Sequence, residues 1–388
     1  MSPKRQAALG VCVAVLLVTA GCTGGTTPAS TTSPAGEATT ATETSPATPT
    51  TTTATWSPNV SVEQYPPGVA DNGTLANASV LADAHFAATA NESVVLTLEG
   101  TGQNYTSIKT YAHGDSPTPF YATVDYTENG NRVVGESYQT ADRGFVRYEV
   151  ENRTFYRVTQ NTTVPGTNGW LTDGTFASVE EELRGLLVLG NYTVNGTVER
   201  GDRTLVELTA DEPALDRDYS PAYNGTALVT PDGAVHSIEA SFALGTGDNR
   251  EAREVSLSLD ADAEWRGEPS WVDDPPNLSL SIVEDGRALE LRNAGGAALP
   301  ANTSFEVYGM NATEGWETRI FEDVNGTVTT DASLDPGEAV YVTADENGTS
   351  FTLHADPARG EYAFAAAKLH KRGPIVYSLV TGLGNQSA

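Results

Sequence analysis

FYATVDYTENGNRVVGESY, Phe120 to Tyr138, sets two runs rich in β-branched and aromatic residues on either side of Asn129-Gly130. Asn-Gly tolerates the positive φ angles of a two-residue hairpin loop, so the stretch predicts two antiparallel strands joined by a tight turn. The same pattern repeats along the chain. GFVRYEVENRTFYRV folds back around Glu151 to Arg153, TVERGDRTLVELT turns at Gly201-Asp202, and ALVTPDGAVHSIEASFAL turns through Pro231-Asp232-Gly233. REVSLSLDADAEW, Arg253 to Trp265, reads as a closing strand.

Two helical signals interrupt these strands. NASVLADAHFAATAN, Asn77 to Asn91, places Leu81, Ala84, His85 and Ala88 on one face. Ser178 with Glu181 forms a capping box ahead of LRGLLVL, where Glu180 to Glu182 complement the helix macrodipole. The helix around His85, the GFVRYEVENRTFYRV hairpin and the TPDGAVHSIEA hairpin together resemble the LolA/LppX-like lipoprotein fold. That resemblance implies, for residues 72–266, a curved antiparallel sheet with helices in its hollow, able to hold an acyl chain or another hydrophobic ligand. Leu81, Phe86, Phe145, Tyr148, Phe155, Leu186 and Leu187 would line that hollow or fill an ordinary core.

EWRGEPSWVDDPPNLS breaks the strand pattern with three prolines and two tryptophans, and marks a boundary. Beyond it, residues 276–388 show about seven short alternating strands, from LSLSIV and RALELRN to PIVYSLV, which argue for a β-sandwich. The run from LELRNAGG to LDPGEAVYVTAD resembles immunoglobulin-like and lamin-tail-like sandwiches, modules that present surfaces to partners. The expected fold class is therefore mainly β, with an α+β first domain of curved antiparallel sheet and helices, followed by a β-sandwich.

The N-terminal end carries an address. Lys4 and Arg5 precede an apolar run from Ala7 to Gly21, too short to span a bilayer and suited to a secretory signal over residues 1–21. Thr19, Ala20 and Gly21 before Cys22 resemble the lipobox of secreted lipoproteins, with Thr19 standing where leucine is usual. The resemblance implies cleavage ahead of Cys22 and lipidation of its sulfur. Removing Cys12 with the signal leaves Cys22 as the one cysteine of the mature chain, so no internal disulfide can form. Residues 22–58 are Thr, Ser, Pro and Ala with little else, a composition that cannot bury enough apolar area to fold and reads as a disordered stalk.

Sixteen of twenty-one asparagines lie in Asn-X-Ser/Thr acceptors: Asn59, Asn72, Asn77, Asn91, Asn104, Asn152, Asn161, Asn191, Asn195, Asn224, Asn277, Asn302, Asn311, Asn325, Asn347 and Asn385. Ser and Thr frequencies predict only about four by chance. Turn preference accounts for some Asn-Gly-Thr cases, and N-glycosylation is expected for the set. Together these features place the chain on the extracellular face of the cell membrane, held there by a lipid anchor.

Formal net charge is −29, with 51 acidic and 22 basic side chains. Nucleic-acid binding is excluded, because it needs clustered Lys and Arg to displace counterions. Dense carboxylates and four lysines resemble proteins of halophilic archaea, which implies an anchor of two-chain isoprenoid ether. The five histidines, His85, His113, His236, His354 and His370, lack the paired spacing of a zinc site. Asp260, Asp262 and Glu264 would share one strand face able to hold Ca²⁺, or simply form a solvated surface. No nucleophile elbow, P-loop or dinucleotide fingerprint occurs. The expectation is a non-catalytic lipoprotein with no cofactor, no metal and no catalytic residue. Its partners would be the membrane, a hydrophobic ligand and an envelope protein; the alternative is a structural or adhesive display protein carrying nothing.

Overall fold

The computed structural model describes residues 56–57, 64–150, 153–160, 179–201, 203–214, 222–244, 250–261, 263–311 and 324–382. Cys22, the signal and nearly all of the stalk lie outside the described residues, as do Ser178, Asn59, Asn152, Asn161 and Asn385. The chain runs through β1 (Trp56–Ser57), α1 (Ala78–Thr89), β2 (Val94–Gly102), β3 (Tyr105–His113), β4 (Phe120–Glu128), β5 (Asn131–Gln139), β6 (Arg143–Val150) and β7 (Arg153–Gln160). It continues with α2 (Val179–Leu189), β8 (Thr193–Arg200), β9 (Arg203–Ala210), β10 (Tyr223–Val229), β11 (Val235–Leu244) and β12 (Glu251–Asp260). The last part holds β13 (Leu278–Val283), β14 (Ala288–Asn293), β15 (Ser304–Met310), β16 (Val324–Thr329), β17 (Ala339–Ala344), β18 (Phe351–His354), β19 (Ala366–Lys371) and β20 (Ile375–Thr381).

The predicted hairpins form at the turns their dipeptides favour. Glu128 pairs with Asn131 across Asn129 and Gly130, whose φ angles are 50° and 82°, the left-handed pair that a two-residue loop requires. Arg200 pairs with Arg203 across Gly201, at φ 63°. One hairpin is not anticipated from sequence: β2 and β3 close at Gly102 and Tyr105 around Gln103-Asn104, which lacks a Gly or Pro signal. β16 is likewise an addition to the expected strands.

Curved antiparallel pairing runs in the order β8-β9-β10-β11-β12-β2-β3-β4-β5-β6-β7, and α1 and α2 lie together on one face of it. That face is called the helix face below. The other, outer face carries hydroxyl and carboxyl side chains over much of its width; on β3 and β4, Thr110 and Thr123 bond through their hydroxyls at 2.6 Å.

The C-terminal part is a sandwich. One layer is β13-β14-β17-β18; the other is β20-β19-β15-β16, joined edge-on to the large sheet because β20 pairs parallel to β7, Ile375 beside Tyr156 and Ser378 beside Thr159. The boundary stretch turns through Ser270–Asp273, which carries Trp271 and Val272 into the sandwich core. Tyr138, Phe145 and Val158 reach the same core from the outer face of β5 to β7. Phe145 therefore belongs to the seam between the two parts and not to the hollow that its sequence context suggested: its neighbours across the sheet, Tyr138 and Val158, point the same way.

Candidate functional site

Alternation along each strand decides what reaches the helix face. Leu98, Lys109, Val124, Gly135, Tyr148 and Phe155 form one row across six strands, from β2 to β7. Leu96, Tyr111, Ala122, Ser137, Val146 and Arg157 form the next.

Over β9 to β12 and β2 this face is closed by the two helices. α1 starts at Asn77, whose side-chain oxygen accepts from the N–H groups of Ser79 and Val80 at 3.1 and 3.2 Å, satisfying donors that the first helical turn leaves unpaired. Its buried stripe is Leu81, Ala82, His85 and Thr89, so the helix is rotated slightly from the expected Leu81, Ala84, His85 and Ala88. α2 buries Leu183, Leu186 and Leu187 against Val206, Leu208, Ala227, Ile238 and Leu257. Arg184 ties the helices together by donating to Asp83 and to the carbonyl of Ser79.

Three polar contacts fasten the helices to the sheet. His85 Nδ1 accepts the N–H of Val235 at 3.1 Å, which makes the ring neutral with its proton on Nε2. Burial, reinforced by nearby His113, lowers the His85 pKa to about 4. Tyr223 donates to the Leu186 carbonyl at 3.0 Å and meets the Tyr192 hydroxyl at 2.7 Å. Gly190 and Gly225 make room for that pair, since a Cβ at Gly190 would stand 2.4 Å from the Tyr223 ring. Glu182 bonds the ammonium of Lys109 on β3, with burial pushing its carboxyl above the usual range against the pull of Lys109. Glu182 thus belongs to the helix–sheet contact, in addition to its expected place near the helix start, where it complements the macrodipole.

Across β4 to β7 the face changes character. Val124 and Val146 are buried, but Tyr126, Val133, Tyr148, Val150 and Phe155 are only half-buried. They make an apolar and aromatic strip outside the described footprint of α1 and α2, next to Arg157, whose guanidinium lies 5.9 Å from the centre of the Tyr148 ring.

The other sequence candidates are scattered. His113 bonds the carbonyl of Gly114 at 2.7 Å through Nδ1, and His354 Nε2 meets the Thr343 hydroxyl at 2.9 Å. β12 ends at Asp260, so the alternation expected to align Asp260, Asp262 and Glu264 is not continued. Asp260 and Glu264 are exposed, Asp262 lies outside the described residues, and no metal-ligating cluster occurs among the described residues. Of the glycosylation candidates within the described residues, Asn72, Asn77, Asn91, Asn104, Asn191, Asn195, Asn224, Asn302, Asn311, Asn325 and Asn347 are exposed. Asn277 differs: it is half-buried, and its side-chain oxygen accepts from Arg143 across the seam. Among the described residues no helix is long and apolar enough to cross a membrane.

The fold defines the class: a mainly β protein whose curved antiparallel sheet carries helices on one face and continues into a sandwich. No family model and no curated protein matches the sequence. Solved structures with a distant likeness include MucB in complex with MucA(peri), at 13% identity over 76% of this chain and 87% of that one, with a TM-score of 0.25. A DUF1329 family protein from Desulfovibrio piger ATCC 29098 is 9% identical over 50% of this chain and 94% of its own, with a TM-score of 0.21. The MucA/MucB complex of Pseudomonas aeruginosa is 12% identical over 76% and 88%, with a TM-score of 0.23. No residue role passes from these structures to this chain.

Proposed function

We propose that this chain is an exported, non-catalytic surface lipoprotein, anchored through Cys22, whose first part carries a hydrophobic ligand on the helix face of β4 to β7. Its stalk lifts the folded parts clear of the membrane, N-linked sugars coat them, and the sandwich meets an envelope partner through an immunoglobulin-like or lamin-tail-like surface. The observation that carries the ligand reading is the half-buried strip of Tyr126, Val133, Tyr148, Val150 and Phe155. Apolar side chains left partly wet on a folded sheet are stabilised by an apolar molecule laid over them.

A second reading, display without cargo, is favoured by the close packing beneath α1 and α2, where Leu81, Leu183, Leu208 and Ile238 are 0% exposed. Mass spectrometry decides between them. The mature chain, purified from an exporting host without detergent, should begin at a Cys22 carrying two hydrocarbon chains. Its organic extract should contain one further apolar compound in stoichiometric amount. An extract holding nothing beyond the anchor would leave the display reading, and an unmodified thiol at Cys22 would remove the lipoprotein assignment.

A further inference from the structure

Two open grooves are cut in the outer face, and each is lined by both the asparagine and the threonine of an acceptor triplet. Asn104 and Thr106 border one, of about 430 Å³, between the β2–β3 and β4–β5 turns, together with Gln103, Thr127 and Asn129. Asn224 and Thr226 border the other, of about 450 Å³, over β10 to β12 and β2, together with Thr101, Glu239, Ser241 and Glu254. Both volumes lie within the roughly 300 to 1,000 Å³ of small-molecule sites.

Register sets the two grooves in line. Asn224, Ser241, Glu254, Thr101, Thr106 and Thr127 stand opposite one another in turn across β10, β11, β12, β2, β3 and β4. Directly paired residues share a face, so the row is one polar band in which Asn224 and Thr106 are four strand spacings apart, roughly 19 Å. Alternation also sets Asn224 and Thr226 on the same face of β10. At the other groove the Asn129 N–H donates to the Asn104 carbonyl at 2.9 Å, which ties the two turns together, and Gly130 adds no side chain to fill the space between them.

These linings suit a sugar. Amides and hydroxyls both donate and accept, while Glu239 and Glu254 accept from hydroxyl groups and repel anions. The Asn224 amide reaches Asp211 at 3.5 Å, and an amide nitrogen that carries a sugar keeps one N–H for that bond. A ring joined to a side chain in the groove wall is held there at an effective concentration of about millimolar or more. Contacts too weak to capture a free sugar then suffice to seat an attached one.

We propose that the N-glycans of Asn104 and Asn224 are seated in these grooves, the sugars nearest each asparagine being neutral and hydroxyl-rich, and that they cover the outer face from β10 through β2 to β4. The inference rests on the reading that the chain is N-glycosylated, and adds to it which sugars are held and where. The helix face is then left bare of these two glycans.

Mild periodate, which cleaves the accessible vicinal diols of sugars, tests this on the mature full chain from an exporting, N-glycosylating host. Glycopeptide mass spectrometry reads the extent of cleavage at each acceptor in native and in denatured protein. Asn302 and Asn347, between β14 and β15 and between β17 and β18, supply the comparison. In the native chain the sugars at Asn104 and Asn224 should react at least about tenfold more slowly than those at Asn302 and Asn347, as one or two retained hydrogen bonds imply, and denaturation should abolish the difference. Thr127→Tyr, which fills the first groove and leaves its triplet intact, should bring Asn104 to the rate of Asn347 without altering Asn224. Ser241→Tyr should do the reverse, and decides the matter if the Thr127 variant does not fold. Equal native rates at all four positions would overturn the seating, as would bare Asn104 and Asn224 beside occupied Asn302 and Asn347, and the sugar coat would stand in both cases. Absence of sugar from every acceptor would remove the coat and this inference together.

Discussion

Beneath α1 and α2 the helix face is closed, with Leu183, Leu187 and Ile238 no more than 1% exposed, whereas on β5 to β7 the same face leaves Val133, Tyr148 and Phe155 half-buried beside Arg157. The difference is one of coverage. Helices of 12 and 11 residues are each under about 20 Å long and roughly 10 Å wide. Strands lie about 4.8 Å apart, so the pair covers on the order of four strands of a much wider sheet. Close packing belongs to the covered part, and the surface proposed for a ligand belongs to the rest.

The largest expected effect falls under the helices. Leu183→Ala should destabilise the fold by roughly 2 to 5 kcal/mol through lost burial and a residual cavity, read as a lowered midpoint in denaturant. A cost below about 1 kcal/mol would mean that this half is not closed after all.

Next comes acid. The His85 pKa is depressed in the folded state from 6.5 to about 4, so below the unfolded value the unfolded chain binds the extra proton. Stability attributable to this ring is therefore present above pH 6.5 and is lost progressively down to pH 4, by about 3 kcal/mol. The raised Glu182 carboxyl acts in the opposite direction. Comparing denaturation curves of the parent with His85→Gln, which retains an acceptor for Val235, isolates the histidine: the variant should show a flatter loss over that window, and parallel curves would contradict the assignment.

A smaller effect tests how α1 is seated. Asn77→Ala should cost about 1 kcal/mol by removing the cap, while Asn77→Asp should keep most of it. Because both variants abolish the glycan acceptor, equal losses would point to the sugar and not to the cap.

Smallest in stability, and sharpest for the comparison, is Phe155→Ala. A half-buried position should lose about 1 kcal/mol or less, yet binding of the apolar compound recovered in the organic extract should fall several-fold. Unchanged binding, with a stability loss matching that of Leu183→Ala, would show that the strip is ordinary core.

Legibility from sequence followed the range of the interaction. Asn129-Gly130 and Gly201-Asp202 specify their hairpins with residues adjacent in the chain, and both turns form. Gln103-Asn104 closes a hairpin without such a signal, so it escaped. Leu81, His85 and Leu187 were recognisable as apolar-face residues from helical spacing. Which side of the sheet Phe145 serves was not, because strand alternation tells that neighbours differ in side without telling which side a second layer will cover. Lys109 and Glu182 became neighbours through a packing of helix on sheet that no local pattern encodes.

By itself the sequence determined the mainly β character, the two helices and most turn positions, because φ preference, capping and apolar periodicity act over a few residues. It also framed the expectation of an exported, lipid-anchored, sugar-coated chain. Tertiary structure alone decided that β20 joins β7 in parallel, Ile375 beside Tyr156 and over two hundred residues away, and that one layer of the sandwich therefore continues the large sheet. The physical reason is that the match of these two edges is weighed only after loop closure has brought distant strands together, and nothing in either strand's own residues names its partner.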